Sequence, residues 1–217
     1  MDLLFDYDGT LHESLRIYHP AVQAVRDELA AEGRLSPRVV SAAEAETYIG
    51  MAPDEMWRLF APSFTAEERS DAADRVGRHM ARALAQGRAR LYPGTRGVLE
   101  DLKAAGHRLF LLSMCPRSYM EEHLEIFQLT ALFCEAMCGE DHGYRPKFEI
   151  VRQRMDRGDF HPVCIGDRFS DVEAGRKNGL PVVGCLYGYG SPEELRKCSV
   201  LIRDIAELPA ALETIST

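Results

Sequence analysis

Short apolar runs alternate with segments of helical spacing along most of the chain. The apolar runs lie at 3–5, 108–113, 132–137, 162–166, 181–185 and 199–202. The clearest helical segments between them lie at 117–127, 147–155 and 171–178. Continuous apolar strands separated by helices are typical of a parallel sheet that is covered on both faces. The pattern therefore predicts an α/β fold, a Rossmann-like parallel sheet with helices on both faces.

A block without strand patterns, from about 19 to 88, separates the first predicted strand from the others. Its predicted helices run from Pro20 to Ala31 with Gly33 as the stop, from Ser41 to Ile49, from Pro53 to Phe60, and from Thr65 to Gly87. Ser41 and Glu44 have the spacing of a capping box. We expect 15–88 to be an inserted all-helical cap domain, and 1–14 with 89–217 to form the α/β core domain.

Length and composition are those of a globular protein. The chain has 217 residues, of which 46% are hydrophobic and 28% charged. No apolar run approaches the roughly 20 residues needed to cross a bilayer, and the start lacks the basic region of a secretory signal. The net charge of -8 argues against a nucleic-acid footprint. We expect a cytoplasmic protein without nucleic-acid or membrane partners, and the sequence leaves its oligomeric state open.

The six cysteines show no paired zinc-type spacing. Cys134 and Cys138 are too few ligands for such a site. We expect free and mostly buried thiols.

Polar side chains follow the ends of three predicted strands. Asp6 and Asp8 follow the first strand, Ser113 ends the second, and Asp167 follows a later one. The carboxyl ends of parallel strands lie at one edge of a sheet, where ligands of open α/β folds bind. We therefore expect these side chains to lie close together. Lys147, which opens a predicted helix, is expected at the same edge.

The turn after the first strand contains Gly9, which permits a tight turn that separates the Asp8 side chain from that of Asp6. One carboxylate can then attack a substrate while the other transfers protons. The simpler interpretation of Asp8-Gly9 is an ordinary polar turn at a strand end.

Several motifs occur together in a fixed order along the chain. They are 6–11 (Asp-Tyr-Asp-Gly-Thr-Leu), 92–94 (Tyr-Pro-Gly), Ser113, Lys147, 166–171 (Gly-Asp-Arg-Phe-Ser-Asp) and 188–195 (Gly-Tyr-Gly-Ser-Pro-Glu-Glu-Leu). This set resembles the haloacid dehalogenase superfamily of phosphohydrolases, in particular the phosphoglycolate-phosphatase-like branch with a helical cap after the first strand. The resemblance spans nearly the whole chain.

The resemblance implies a Mg²⁺-dependent phosphatase that acts on a small phosphorylated metabolite, with phosphoglycolate as the family default. It implies that Asp6 is the nucleophile, forming an aspartyl-phosphate, and that Asp8 is the general acid and then the general base. The implied Mg²⁺ ligands are Asp6, the main-chain carbonyl of Asp8, and Asp167. Asp171 would hold a metal-bound water or orient Lys147.

The resemblance also assigns the groups that bind phosphate. The hydroxyls of Thr10 and Ser113, nearby N–H groups and the Lys147 ammonium are expected to bind the phosphoryl oxygens. Met114 belongs to the same predicted substrate-binding set. Met114 and Cys115 replace the Asn and Lys that relatives often carry, which leaves the identity of the substrate open. Cys115 is either a reactive thiol near the phosphate or, more simply, a buried small side chain.

Some of these residues have simpler interpretations. Arg145 competes with Lys147 for the same role, although the family pattern favours Lys147. Asp167 and Asp171 can merely cap the following helix, and Ser113 can be a strand-end cap.

The histidines are scattered, and we assign none of those at 12, 19, 107, 123, 142 and 161 a catalytic role. His12 and Glu13 can nevertheless face substrate at the hinge of the cap, which is expected to open and close over the site. Asp8 argues against dehalogenation, which needs no second acid. A sugar phosphomutase, or a non-catalytic binding protein on the same fold, is the alternative.

Overall fold

The computed structural model describes residues 1–215. The strands are β1 (Asp2–Phe5), β2 (Arg108–Ser113), β3 (Glu135–Cys138), β4 (Pro162–Gly166), β5 (Val182–Cys185) and β6 (Val200–Ile202). They form a six-stranded sheet in the order β3-β2-β1-β4-β5-β6, and each neighbouring pair is parallel. Phe5 is in register with Leu111 on one side and Ile165 on the other, so the residues that follow these three positions share one edge.

The helices account for most of the remaining chain. They are α1 (Leu15–Ala31), α2 (Ala42–Tyr48), α3 (Pro53–Phe60), α4 (Ala66–Ala85), α5 (Thr95–Ala104), α6 (Arg117–Ile126), α7 (Lys147–Met155), α8 (Phe169–Lys177), α9 (Pro192–Leu195) and α10 (Leu208–Ile215). Short 3-10 turns occupy Glu140–His142 and Ile205–Glu207. Within 1–215, no helix is both long enough and apolar enough to cross a membrane.

Two buried apolar clusters lie on opposite faces of the sheet. Leu3 and Phe5 pack in one cluster, together with residues of α5, α6 and α10. Leu4 packs in the other, with residues of α7 and α8. Neighbouring residues of a strand point to opposite faces, so burial of both faces requires each position to be apolar. This explains the continuous apolar runs in the sequence and confirms the predicted parallel sheet covered on both sides.

The chain divides into two compact units. One consists of Met1–Glu13 and the chain from Leu91 onward, and it contains the sheet. The other, Ser14–Arg90, contains α1 to α4.

Helix α1 differs from its prediction at its start. Pro20 lies inside the helix, which begins at Leu15, so the prediction that Pro20 opens it was wrong. The earlier start buries Ile17 on the same face as Val22 and Val25. Burial of that apolar face outweighs the one backbone hydrogen bond that proline cannot donate.

Helices α2 and α4 differ in how completely their N-terminal caps form. The Ser41 side chain accepts a hydrogen bond from the Glu44 N–H, but the Glu44 carboxylate binds Arg38 at 2.5 and 2.6 Å. Only half of the predicted capping box therefore forms there. Thr65 and Glu68 form a complete capping box at the start of α4.

The remaining differences are small. Helix α8 begins at Phe169 instead of Asp171, and β3 begins at Glu135 instead of near Leu132. Helix α10 was not predicted. The cysteines are free as expected, four of them buried, with Cys198 half-buried and Cys134 exposed.

Candidate active site

Three buried carboxylates meet at the carboxyl edge of the sheet. Asp6 directly follows β1, Asp167 directly follows β4, and Asp171 lies in the first turn of α8. These three residues are no more than 5% exposed. One oxygen from each lies within 4.8 Å of the others. Oxygen ligands in this arrangement suit a hard divalent cation such as Mg²⁺, so these three residues could hold a metal.

Lys147, the first residue of α7, is the cation of this cluster. Its Nζ lies 2.7 Å from Oδ1 of Asp6 and 2.7 Å from Oδ1 of Asp171. The structure therefore places Lys147 at the predicted position, while its competitor Arg145 is exposed. Burial alone lowers a lysine pKa, but the two carboxylates outweigh it, and the Lys147 pKa lies above its usual value.

One ammonium against three carboxylates leaves the cluster negative. Burial, followed by the charge of Asp171, raises the pKa of Asp6 well above its ordinary value. The same two causes, in the same order, raise the pKa of Asp167 to about 7. The electrostatics thus favour either an added proton or a bound cation. A divalent cation supplies the missing positive charge, so the donor set and its charge both fit a metal.

The Asp167 carboxylate is held on both oxygens. Thr10 Oγ1 donates a hydrogen bond to Oδ1 at 3.0 Å, and the Tyr189 backbone N–H donates to Oδ2 at 2.7 Å. Thr10 is fully buried. The hydroxyl of Thr10 is therefore engaged by Asp167 in this structure, and its contact with phosphoryl oxygens stays a prediction. Its one proton cannot serve both acceptors.

Asp171 combines the two roles that the sequence left as alternatives. Its Oδ2 accepts a hydrogen bond from the Arg168 backbone N–H at 3.0 Å, which caps α8. Its Oδ1 faces Lys147. Asp171 is thus both a helix cap and part of the buried charged cluster.

Gly9 and Gly190 are two of the glycines that leave the space that Asp167 occupies. Gly9 has φ +87°, and a Cβ there would lie 2.3 Å from Asp167 Oδ2. At Gly190, in the loop after β5, a Cβ would lie 1.7 Å from the main-chain oxygen of Asp167. Any side chain at either position collides with a residue of the acidic cluster. These glycines in the two terminal motifs of the sequence are therefore requirements of the site.

The Asp8 carboxylate lies apart from the acidic cluster and is bound by a different set of residues. Its Oδ1 accepts a hydrogen bond from the Tyr119 hydroxyl at 2.7 Å and lies 3.3 Å from His12 Nδ1. Its Oδ2 lies 3.4 Å from Ser113 Oγ. The Asp8 side chain is 16% exposed and that of Asp6 is 4% exposed, so Asp8 is the more accessible of the two carboxylates.

The environment of Asp8 favours its ionised form. Burial acts to raise the Asp8 pKa, but the hydrogen bond and charge of His12 and the Tyr119 hydrogen bond outweigh burial, and the pKa is lowered. Asp6 and Asp8, two residues apart, therefore have pKa values shifted in opposite directions. Such a separation is typical of carboxylates with different chemical tasks.

The aromatic residues around Asp8 were not predicted from the sequence. Tyr119 and His123 lie four residues apart on α6, and His12 follows the Asp8 turn. His12 is fully buried against Tyr7 and His123, with ring centroids 5.3 and 4.7 Å away, which corrects the expectation that it faces substrate. A signal existed, since the spacing of Tyr119 and His123 places two polar rings on one helix face.

The residues at the end of β2 occupy distinct environments. Ser113 is buried, and Met114 is half-buried beside Gly139, where a Cβ would lie 3.0 Å from the Met114 Cα. Cys115 is buried, and burial together with the charge of Asp8 raises its pKa well above the ordinary value. Both effects disfavour the thiolate form of Cys115, which favours the simpler interpretation, a buried small side chain.

A family model described as haloacid dehalogenase-like hydrolase matches residues 3–185. The chain belongs to the haloacid dehalogenase-like hydrolase family. The matched range includes the acidic cluster and Lys147. The resemblance stated from the motifs is therefore confirmed.

Relatives of known name agree with this family. A 5'-nucleotidase of Pseudomonas aeruginosa is 28% identical over 221 residues, covering 98% of this chain and 96% of the relative. A phosphoglycolate phosphatase of Mannheimia succiniciproducens is 27% identical over 191 residues, covering 85% of each. The predicted enzyme class, a phosphatase of the haloacid dehalogenase superfamily, is confirmed.

Solved structures share the fold. A crystal structure of a predicted phosphatase from Clostridium acetobutylicum superposes with a TM-score of 0.83 at 25% identity, covering 98% of both chains. A predicted phosphoglycolate phosphatase from Haemophilus somnus superposes with a TM-score of 0.81 at 23% identity, covering 97% of this chain and 96% of that one. The likeness extends over both units of the chain.

Proposed function

We propose that this hydrolase is a Mg²⁺-dependent phosphatase that cleaves a small phosphomonoester through an aspartyl-phosphate on Asp6. The observation that carries the proposal is the separation of two carboxylate environments. Asp6 lies in a buried cluster with Asp167, Asp171 and Lys147. Asp8 lies outside this cluster and is bound by uncharged or weakly basic groups.

Asp6 is the nucleophile in this proposal. Its Oδ1 is engaged by Lys147, which leaves Oδ2 to attack phosphorus and to expel the alcohol. The product is an acyl phosphate on Asp6, and a water then hydrolyses it, so one difficult displacement becomes two easier ones. Asp6, Asp167 and the main-chain carbonyl of Asp8 would hold Mg²⁺, which would offset charge on the phosphoryl oxygens.

Asp8 transfers the protons. It gives one to the leaving oxygen in the first displacement and takes one from water in the second. The lowered pKa of Asp8 suits the second task. The first task needs the protonated form, which the negative charge of an arriving phosphate favours. Ser113, at the end of β2, is the hydroxyl available to a phosphoryl oxygen, because Thr10 is engaged by Asp167.

The substrate class follows from the relatives only in outline. Phosphoglycolate is the first candidate, because several named relatives at 25–28% identity are phosphoglycolate phosphatases. The 5'-nucleotidase relative adds nucleoside 5'-monophosphates as a second class to be tested. Met114 lies beside Ser113 and is the proposed contact for the part of the substrate that differs between these classes.

The test is phosphate release from a panel of phosphoglycolate, sugar phosphates and nucleoside 5'-monophosphates, with and without Mg²⁺. We expect Mg²⁺-dependent turnover of one class, reduced roughly 10³-fold or more in Asp6→Asn. The matched control is Asp2→Asn, which removes a carboxylate from the other end of β1, where it binds Arg108. Failure to hydrolyse any ester by folded protein, or full activity of Asp6→Asn, contradicts the proposal.

A further inference from the structure

We propose that Tyr119 is a positioning residue for proton transfer: its hydroxyl holds Asp8 Oδ1, so that Oδ2 carries the proton to the leaving group and from the attacking water. This inference rests on the proposed function of Asp8 as acid and base. It assigns different tasks to the two oxygens of the Asp8 carboxylate. It also gives a role to Tyr119, which lies outside the family motifs.

The two oxygens of Asp8 have unequal partners. Oδ1 accepts a short hydrogen bond of 2.7 Å from the Tyr119 hydroxyl, and His12 Nδ1 lies 3.3 Å from the same oxygen. Oδ2 has the long 3.4 Å contact with Ser113 Oγ. A proton placed on Oδ1 would weaken the Tyr119 hydrogen bond, because a protonated carboxyl oxygen is a poorer acceptor than a carboxylate oxygen. A proton on Oδ2 displaces at most a weak contact, so Oδ2 is the oxygen that exchanges protons at lower cost.

The position of Oδ2 agrees with this assignment. Ser113 ends β2, whose neighbour β1 ends beside Asp6. The oxygen that lies near Ser113 is therefore the one on the side of the proposed phosphate site, while Oδ1 is turned toward α6. In the first displacement Oδ2–H protonates the leaving oxygen as the P–O bond breaks and Asp6 bonds to phosphorus. In the second, Oδ2 takes a proton from water as water bonds to phosphorus and the Asp6–phosphorus bond breaks.

The Tyr119 ring is held in place by neighbouring rings, so its hydroxyl has a fixed position from which to donate to Asp8 Oδ1. The His123 ring lies 3.9 Å from it, centroid to centroid, and the Tyr7 ring lies edge-on at 6.2 Å. The Tyr119 hydroxyl also lies 3.2 Å from His12 Nδ1. Removal of the hydroxyl leaves this packing in place but frees Asp8 Oδ1 to rotate or to accept a proton. The geometry of transfer is then less well defined.

Tyr7 provides a matched control in the same group of rings. Its hydroxyl forms a hydrogen bond with His123 Nδ1 at 3.0 Å. Within residues 1–215, the structure shows no hydrogen bond between the Tyr7 hydroxyl and Asp8. Tyr7→Phe and Tyr119→Phe therefore remove the same atom from neighbouring rings, and only Tyr119→Phe changes a partner of Asp8.

The test measures kcat/KM, with saturating Mg²⁺, for a series of aryl phosphates whose leaving groups differ in pKa. Protonation matters most for poor leaving groups. For Tyr119→Phe we expect little loss with the best leaving group and a loss of roughly 10-fold or more with the poorest. The plot of log(kcat/KM) against leaving-group pKa then has a steeper negative slope than that of the wild type. For Tyr7→Phe we expect the wild-type slope.

The possible outcomes separate this inference from the proposed function. A Tyr119→Phe plot parallel to the wild type, or an equally steep plot for Tyr7→Phe, overturns the inference alone. No turnover by the wild type, or turnover that survives Asp6→Asn, overturns the proposed function and the inference with it. As a second measure, Tyr119→Phe should add no further loss in an Asp8→Asn background. Tyr119→Leu, which also lacks the hydroxyl, replaces Phe if that variant does not fold.

Discussion

The ammonium of Lys147 lies 2.7 Å from the carboxylate oxygen of Asp6, and both side chains are at least nine-tenths buried. The two residues come from the start of α7 and the end of β1, far apart in the chain. A buried ion pair of this kind adds little net stability relative to apolar residues, but the loss of one partner leaves the other charge unpaired. Net stability therefore does not account for the pair, which agrees with the proposed role of Asp6 and Lys147 in the chemistry of the site.

Lys147→Met should lower the free energy of unfolding at neutral pH by roughly 3–5 kcal/mol, because it leaves Asp6 and Asp171 facing each other without a cation. Urea denaturation measures this. The control is Lys177→Met, which removes an exposed lysine paired with Glu173 on α8 and should cost no more than about 1 kcal/mol. Equal losses in the two variants would mean that the buried charges do not behave as a cluster.

Asp167→Asn should stabilise the metal-free protein. Burial and the charge of Asp171 raise the Asp167 pKa to about 7, against about 3.9 when unfolded. Stability from this group is therefore present at low pH and is lost as the pH rises toward 7, by about 1.4 kcal/mol per pH unit. The variant escapes this loss, so its advantage over the wild type should grow between pH 4 and pH 7 in EDTA.

Addition of Mg²⁺ should make the wild type more stable than Asp167→Asn. A ligand that binds only the folded state stabilises it, by about 2.7 kcal/mol at 100 times its Kd. The wild type should gain this stability and Asp167→Asn should gain less, since one carboxylate ligand is lost. The amide can still donate to Thr10 and accept from the Tyr189 N–H, so the variant is expected to fold. The measurement is the melting temperature of both proteins with and without Mg²⁺. An equal rise on adding Mg²⁺ would mean that Asp167 does not bind the metal.

The sequence predicts the sheet and the acidic cluster well for a physical reason. Asp6 and Asp167 directly follow apolar strands, and parallel strands end at one edge whatever the details of packing. The partners of Asp8 could not be derived this way. Tyr119 reaches Asp8 only because α6 packs into the apolar cluster that contains Phe5 with a particular rotation, and sequence spacing does not fix that rotation. Thr10 was assigned to phosphate because its hydroxyl suits either acceptor, and only the geometry shows that Asp167 takes it.

Gly9→Ala should remove Mg²⁺ stabilisation and activity while the chain still folds. Gly9 and Gly106 have nearly the same backbone, with φ +87° and +86°. Alanine at either position should cost roughly 1–2 kcal/mol of stability, because a Cβ is disfavoured in the left-handed region. Nothing lies within 4 Å of a Cβ at Gly106, whereas a Cβ at Gly9 collides with Asp167.

Gly106→Ala is therefore the matched control for Gly9→Ala. Both variants should lose a similar amount of stability because of the strained backbone. Only Gly9→Ala should lose the rise in melting temperature with Mg²⁺ and the release of phosphate. An active Gly9→Ala protein with a normal Mg²⁺ shift would show that Asp167 can move without consequence, and that the space provided by Gly9 is not needed for the metal.

His123→Gln should change the pH dependence of stability. Burial, followed by the nearby His12, lowers the His123 pKa to about 3, against about 6.5 in the unfolded chain. The unfolded state therefore binds one more proton between these values, and the stability present above pH 6.5 is lost as the pH falls. The wild type should lose roughly 2 kcal/mol from this group between pH 6.5 and pH 5. Glutamine does not titrate and can still accept the Tyr7 hydrogen bond, so the variant should escape this loss.

The measurement is urea denaturation of both proteins across this pH range. At pH 7 the variant should be the less stable of the two, because it buries an amide in place of a fitted ring, and its deficit should shrink as the pH falls. His161→Gln, at an exposed position, is the control for the loss of an imidazole, and the change with pH that we predict is the part of the His123→Gln difference that this control does not share. A constant deficit for His123→Gln would mean that His123 gains a proton in the folded protein, and the cluster of rings around Asp8 would then carry a positive charge beside the proposed acid and base.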